Sequence, residues 1–283
     1  DLFIDESVNE GIGPPSRKAL SFGLLFIDAD LDGRQDLVQA NGHLEEEIAT
    51  VQPGQEYRQQ AQLFWNRGPG AGCFVEVPAN ETGALSIPAV GRALASADID
   101  GDGDLDLLIA NGKVTRGDTP FPSETPEPLS EYSEPNLVYL NDGNGKFTHD
   151  ETVGGLFSET VRISRGLVHA DLDRDGDLDI IVTHVHEPCQ IFRNDAPRAG
   201  SWLTVQLERE GTDPVSEGAS LKILDGKKPL LRIYSACRGY ASSFAHEVHF
   251  GAVEPGSEME VVWPGGIREL YNISKWNQKV TLK

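Results

Sequence analysis

Asp98-Ile-Asp-Gly-Asp-Gly-Asp-Leu-Asp106 decides the reading of this chain, because the sequence writes it three times. The other copies are Asp28-Ala-Asp-Leu-Asp-Gly-Arg-Gln-Asp36 and Asp171-Leu-Asp-Arg-Asp-Gly-Asp-Leu-Asp179. Carboxylates recur at loop positions 1, 3, 5 and 9: Asp28, Asp30, Asp32 and Asp36; Asp98, Asp100, Asp102 and Asp106; Asp171, Asp173, Asp175 and Asp179. Glycine holds position 6 as Gly33, Gly103 and Gly176, where it permits a sharp turn. Alternate side chains of a tight loop point inward, and clustered carboxylates repel unless a cation sits among them. Oxygen-only ligands are hard and suit Ca²⁺ better than a softer metal. The expected donors are these four aspartates, the backbone carbonyl of residue 7 (Arg34, Asp104 or Asp177) and water, giving about three Ca²⁺ in all. The competing reading is a solvated acidic turn without metal.

The loops are not EF-hands. Position 12, where an EF-hand needs a bidentate Glu, is Gln39, Ile109 or Val182. Each loop runs into a short aliphatic segment, Leu37–Ala40, Leu107–Ala110 or Ile180–Thr183, that reads as a strand rather than a helix.

A longer period encloses the loops. Phe3, Phe74 and Phe147, spaced 71 and 73 residues apart, each open a strand-like run. Gly23–Ile27 and Gly166–Ala170 precede two of the loops, and strands ending in Asn66, Asn141 and Asn194 follow all three. About four strands per unit is the signature of a β-propeller blade. Three blades are too few for a ring of the usual four to eight. Residues 1–12 read as the outer strand of a preceding blade. The chain is therefore expected to be part of a larger propeller, or one of two chains that close it together. Insertions at 41–61 and 113–135 distinguish the units, and Val114–Pro135, rich in Pro, Glu, Ser and Thr, reads as an exposed, poorly packed loop. It contains Arg116-Gly117-Asp118, which reads as a chance tripeptide before it reads as an attachment sequence.

The period stops near Asn194. Residues 1–196 form the propeller part and 197–283 a second domain, whose alternating runs Trp202–Leu207, Ser220–Leu224, Leu230–Tyr234, Met259–Trp263 and Val280–Leu282 read as a small antiparallel β domain. The fold class is thus all-β.

Composition excludes several functions. Asp+Glu number 45 against 24 Lys+Arg, a formal charge of −21, which disfavours nucleic acid and anionic membranes. No apolar run approaches the ~20 residues of a membrane span. The chain opens on Asp1 without an initiator Met or a leader-like segment, which reads as a processed chain or a fragment. Structural rather than sensory calcium loops point to an extracellular or periplasmic setting, where weak sites still fill. Cys73, Cys189 and Cys237 leave their disulfide state open, and Asn80-Glu-Thr82 and Asn272-Ile-Ser274 are glycosylation sequons.

On these motifs the chain resembles a known family. The loops are similar to FG-GAP/VCBS repeats, the calcium-binding blades also found in integrin α-subunit propellers. Trp202-Leu203, Gly218-Ala219, Gly239-Tyr240, His249-Phe250-Gly251, Val261–Gly266 and Asn277-Gln278 resemble an ASPIC/UnbV domain. Ala40–His43 with Tyr57–Gln59 resembles bacterial relatives in the cartilage acidic protein-like family. The resemblance spans nearly the whole chain and implies a secreted, calcium-binding β-propeller protein; it is specific for architecture rather than activity. Two departures stand out: Arg34-Gln35, where the other loops have Asp-Leu, and Ala252, where relatives often have Leu.

No nucleophile elbow, phosphate-binding glycine loop or zinc-protease helix is present. His184 and His186 share a strand face and, with His43, could bind a transition metal, although blade-end histidines are more often solvated or hydrogen-bonded. Glu45, Glu46 and Glu47 read as a solvated loop, and His249 as structural. Trp65, Trp202, Trp263 and Trp276 suit β-cores better than a sugar platform. The function expected is therefore a non-catalytic, calcium-binding interaction or scaffold module, or a subunit of a larger assembly. Its partner would be a protein or a second chain completing the propeller. The alternatives are an enzyme or accessory subunit with a histidine-bound transition metal, and a carbohydrate-binding module with a glycan partner.

Overall fold

Each acidic loop is the turn of an antiparallel hairpin. In the first blade β1 (Ser21–Ile27) runs into loop 1, β2 (Asp36–Asn41) returns, and β3 (Gln62–Asn66) and β4 (Phe74–Glu76) complete a four-stranded sheet in sequence order. The second blade repeats the plan with β5 (Gly91–Ala97), β6 (Asp106–Asn111), a two-residue β7 (Glu134–Pro135) and β8 (Leu137–Tyr139). β5, β6 and β8 form its sheet, and a bridge between Leu140 and Thr148 stands where a fourth strand would lie. β9 (Val161–Arg162) pairs with β7, and β10 (Ser164–Ala170), β11 (Asp179–His184) and β12 (Glu187–Phe192) make the third blade. The computed structural model describes residues 2–283 except 117–120, 150, 198–199, 209–215, 225–227, 237, 241 and 255. Gly117, Asp118 and Cys237 thus lie outside the described residues, and the thiols of Cys73 and Cys189 are free.

Residues of one strand alternate between two blade interfaces. Leu25, Ile27, Val38 and Leu63 of the first blade pack with Leu94, Leu107, Ile109 and Tyr139 of the second. The opposite face of the second blade, with Ala93, Ala95, Leu108 and Val138, packs on Leu167, Ile180 and Val182 of the third. A sheet sandwiched in this way is buried on both faces, and every residue of β5 and β6 is buried. The end blades differ. Leu24 stands four residues before its loop, like Leu94 and Leu167, yet is 51% exposed where those are 0% and 1%. Ile191 occupies the place of Leu63 and Val138 and is 62% exposed. Arginines latch the far ends of the strands: Arg92 donates to Gly42 O and His43 O, and Arg165 to Gly112 O and Lys113 O, each gripping the preceding blade. The equivalent residue of the first blade is Phe22, against which the Arg92 guanidinium stacks at 4.5 Å.

The C-terminal part comprises β13 (Ser201–Leu207), β14 (Ser220–Leu224), β15 (Leu230–Ile233), β16 (Val248–Val253), β17 (Glu258–Val262), β18 (Arg268–Asn272) and β19 (Gln278–Leu282). β15-β14-β17-β18 is fully antiparallel, whereas the sheet β16-β13-β19 contains a parallel pair, β13 with β19. The two sheets enclose Leu203, Val205, Leu221, Ile223, Phe250, Met259 and Val261. Short alternating runs fix strand existence but not strand direction, so the one parallel pair was not visible in the sequence.

Two further expectations change. Residues 2–6 carry no regular structure and 7–11 form turns, where an outer strand was expected; Phe3 is 94% exposed, and Glu10 O accepts from Phe74 N at the start of β4. The insertion 113–135 is partly packed: Thr125 is buried and its Oγ1 donates to Glu187 Oε1, while Ser123 Oγ donates to Val161 O. Among the described residues α-helix is confined to α1 (Gly13–Ser16), α2 (Ile48–Val51) and α3 (Glu151–Glu159), the last interrupted at Gly155 with φ 46°.

The blade interfaces make a direct prediction. Leu94→Ala should cost about 2–5 kcal/mol by emptying space between two blades. Leu24→Ala, at the matching but open position, should cost under about 0.5 kcal/mol. Urea midpoints of the two variants measure the difference.

Candidate metal loops and the domain docked on them

The three loops share one hydrogen-bonded frame. The first aspartate accepts the glycine amide at position 6: Asp28 from Gly33 at 3.0 Å, Asp98 from Gly103 at 3.1 Å and Asp171 from Gly176 at 3.1 Å. The three glycines have φ of 85°, 100° and 95°, a region that side chains with a Cβ rarely occupy. The ninth aspartate uses both oxygens on backbone amides. Asp36 accepts from Ala29 and Asn66, Asp106 from Ile99 and Asn141, and Asp179 from Leu172 and Asn194, all at 2.8–3.1 Å. It therefore ties the loop entrance to the end of the third strand. Those asparagines reach onward: Asn141 Nδ2 donates to Ala29 O at 2.9 Å and Asn194 Nδ2 to Ile99 O at 2.8 Å, each the second residue of the preceding blade's loop.

Within this frame carboxylate oxygens converge. Asp28, Asp30 and Asp32; Asp98, Asp100 and Asp106; and Asp171, Asp173 and Asp175 each offer oxygens lying within 4.8 Å of one another. Asp102 accepts from Asp104 N at 3.1 Å, and Arg34 N and Asp177 N donate equivalently to Asp32 and Asp175 at 2.8 and 2.9 Å, so residue 7 is held at the loop exit. Three buried oxygens have no hydrogen-bond partner, Asp98 Oδ1, Asp104 Oδ1 and Asp171 Oδ1. An orphaned buried carboxylate oxygen is costly, and a hard divalent cation is the partner its chemistry fits.

Electrostatics agree with that fit. Burial raises Asp28 to about 6 and Asp36 to about 7, with repulsion from Asp30 and Asp32 adding to it. Burial likewise lifts Asp98 to about 6, and Asp106 well above the usual carboxylate range. Asp104 rises through burial and then the charges of Asp102, Asp98 and Asp100. Asp30, Asp100 and Asp171 are also raised, burial first.

The C-terminal sheets sit on the loops. Lys228 Nζ donates to Asp30 O at 3.1 Å and Gly143 O at 2.7 Å, and Arg232 Nη2 to Gly103 O at 2.9 Å. Gly251 N donates to Asp98 Oδ2 at 2.9 Å, and His249 Nε2 donates to Gly176 O at 3.0 Å. His249 is thus structural in its contacts, stacked on Trp202. The connection between β15 and β16 runs along the inner strands of the blades: Tyr240 meets Phe22 edge-on, Ser242 Oγ accepts from Leu167 N, and Phe244 enters the core between the second and third blades.

The histidine alternative is not assembled. His43 Nδ1 accepts from Glu45 N, His184 Nδ1 lies 3.2 Å from Ser164 Oγ, and among the described residues no histidine joins a set of three metal-capable atoms.

The sequence matches the family profile of FG-GAP-like repeats over residues 28–109 and 129–182, which contain loops 1 and 2 and the third loop with its strand, and the profile "ASPIC and UnbV" over residues 210–283. The chain belongs to the family that joins FG-GAP repeats to an ASPIC/UnbV domain. Cartilage acidic protein 1 of Homo sapiens is 23% identical over 291 aligned residues, covering 99% of this chain and 38% of that protein. The Mus musculus protein is 24% identical (93% of this chain, 36% of that protein), and the Xenopus tropicalis protein 27% identical (86% and 34%). The chain therefore spans a little over a third of the length of these relatives. In this FG-GAP and ASPIC/UnbV chain, no helix among the described residues is long and apolar enough to cross a membrane.

The raised carboxyls fix a pH dependence. In metal-free protein their folded pKa values exceed the unfolded one, so the folded state binds more protons between the two, and stability falls as pH rises through about 6–7. Chelated protein should melt higher at pH 5 than at pH 8, whereas the increment gained on adding Ca²⁺ should shrink over the same descent, because bound carboxylates must be deprotonated. Paired melting curves with and without Ca²⁺ measure both trends.

Proposed function

We propose that this chain is a calcium-stabilised, non-catalytic interaction module of an extracellular protein, its three FG-GAP loops each holding one Ca²⁺. The observation that carries the reading is the thrice-repeated frame with converging, partly orphaned carboxylate oxygens. Asp28, Asp30 and Asp32, Asp98, Asp100 and Asp106, and Asp171, Asp173 and Asp175 supply the side-chain oxygens. Asp36 and Asp179 hold loop shape, each with both oxygens on backbone amides, and water completes the shells. A bound ion offsets the mutual repulsion of the aspartates and thereby pins the turns from which all three blades and the docked C-terminal sheets hang. Extracellular calcium suits such weakly selected, structural sites.

The partner in this reading packs on the open blade faces. Leu24 and Phe26 at one end and Ile191 at the other are exposed where their counterparts are sealed by the next blade. The occupant is further β-blades, on another part of a longer chain or on a second chain. The insertions 41–61 and 113–135, joined where Thr115 Oγ1 donates to Leu44 O, add a surface of their own.

Removal of the ions should lower the melting temperature by on the order of 10 °C or more, since a ligand held only by the native state stabilises it in proportion to RT ln(1 + [L]/Kd). Native mass spectrometry before and after chelation, at matched ionic strength, counts the ions. Three ions lost without any change in melting would sink the proposal.

A further inference from the structure

The three loops differ in what covers them. In loop 3 the C-terminal part packs on Gly176 but leaves Asp173 and Asp175 exposed, and in loop 1 Asp28, itself buried, spends both oxygens inside the loop, on Asp32 N and Gly33 N. In loop 2 Asp98, Asp104 and Asp106 are 3%, 4% and 1% exposed. What buries it is the C-terminal part. A Cβ on Gly103 would lie 3.2 Å from the Ala252 Cβ, and a Cβ on Gly251 would lie 2.3 Å from Asp98 Oδ2 and 3.0 Å from the Cα of Gly101. Only a glycine at 251 allows this seating.

Asp98 is divided between two tasks. Its Oδ2 accepts from Gly103 N of its own loop and from Gly251 N of β16, while Oδ1 is buried without a partner. Beside it Arg232, 4% exposed, donates to Gly103 O and lies over the Phe250 ring at 5.5 Å. Its guanidinium meets the charges of three buried carboxylates of this loop, Asp98, Asp104 and Asp106, with half-buried Asp100 and exposed Asp102 at the rim. A buried surface with that excess of negative charge is unfavourable to close without a further cation.

We infer that loop 2 is a closed ion site whose lid is the ASPIC/UnbV domain, so that the loop 2 ion and the seated domain depend on each other. The inference rests on the calcium reading of the loops. The ion takes the free oxygen of Asp98 and leaves the other aimed at Gly251 N. Loss of the ion turns Asp98 and Gly103 out of register and unseats β16. In reverse, lifting the domain opens the loop against which β16 is seated and releases its ion. Coupling between two binding events is reciprocal, so each stabilises the other by the same factor. Loops 1 and 3 exchange their ions freely, while loop 2 exchanges slowly and reports whether the domain is seated.

Two experiments read the two directions. In Asp100→Asn, hydrogen exchange at the Gly251 amide and across 228–233 should quicken at least tenfold, with native mass spectrometry showing one ion fewer and the core amides of Leu203, Val205 and Ile223 changed less than twofold. Asp30→Asn should also lose one ion but leave Gly251 within twofold. In Arg232→Met, one of three ions should pass to a fluorescent chelator at least tenfold faster than in the native protein. An Asp100→Asn protein that loses its ion yet keeps Gly251 protected overturns the inference, as does an Arg232→Met protein whose slowest release is unchanged. If Asp100→Asn exposes its core amides, the Arg232→Met release rate alone decides. A native protein that carries no ion by mass defeats the calcium reading itself, and the inference with it.

Discussion

Everything in the blades depends on a carboxylate that places both oxygens on backbone amides. The ninth aspartate of each loop receives one amide from the loop entrance and one from the end of the third strand, so it closes the hairpin and attaches the next strand in a single group. Two charge-assisted bonds of this kind are each stronger than a neutral one, and a buried carboxylate left without them would be expensive. The aspartates converge because this one holds the loop in shape, and in loop 2 it joins the cluster itself. Shape comes first, charge concentration follows, and the demand for a cation follows from the charge.

The loops and their strands were legible because they are local. A spacing of two between aspartates, a glycine at position 6 and an aliphatic run of four residues all act within a dozen residues. The asparagines at 66, 141 and 194 were legible as repeated strand ends, but their bonds across to the previous loop were not, since nothing local distinguishes a latch from a turn residue. The docking was invisible for a plainer reason. Arg232 and Gly103 are 129 residues apart, and Gly251 and Asp98 are 153 apart. An arginine inside the strand Leu230–Ile233 reads as the polar face of an alternating pattern; its burial depends on which surface that face meets. Residues 2–12 differ in the opposite direction: Phe3-Ile4 has strand composition, yet both side chains are exposed and no strand among the described residues pairs with them.

Charge explains where the few cations went. In a chain of −21, three buried or half-buried arginines are spent on backbone carbonyls rather than on carboxylates. Arg92 and Arg165 cap the strand exits of the blade before them, and Arg232 caps the exit of loop 2. A planar guanidinium satisfies several carbonyls at once, which suits it to seams between sheets better than a lysine. Lys228 does a looser version of the same task between loop 1 and the turn at Gly143.

The asparagine latch also gives the array a direction. Every link runs from a blade back to the loop of its predecessor, never forward, and the arginine grip at the opposite end of the strands points the same way. A stack built of such links resembles a polymer with chemically distinct heads and tails. Each of these joints involves only the two blades that meet there, whereas the C-terminal sheets touch all three loops, so a unit could not be added or removed without disturbing the docked domain. A unit inserted backwards would meet carbonyl with carbonyl and amide with amide.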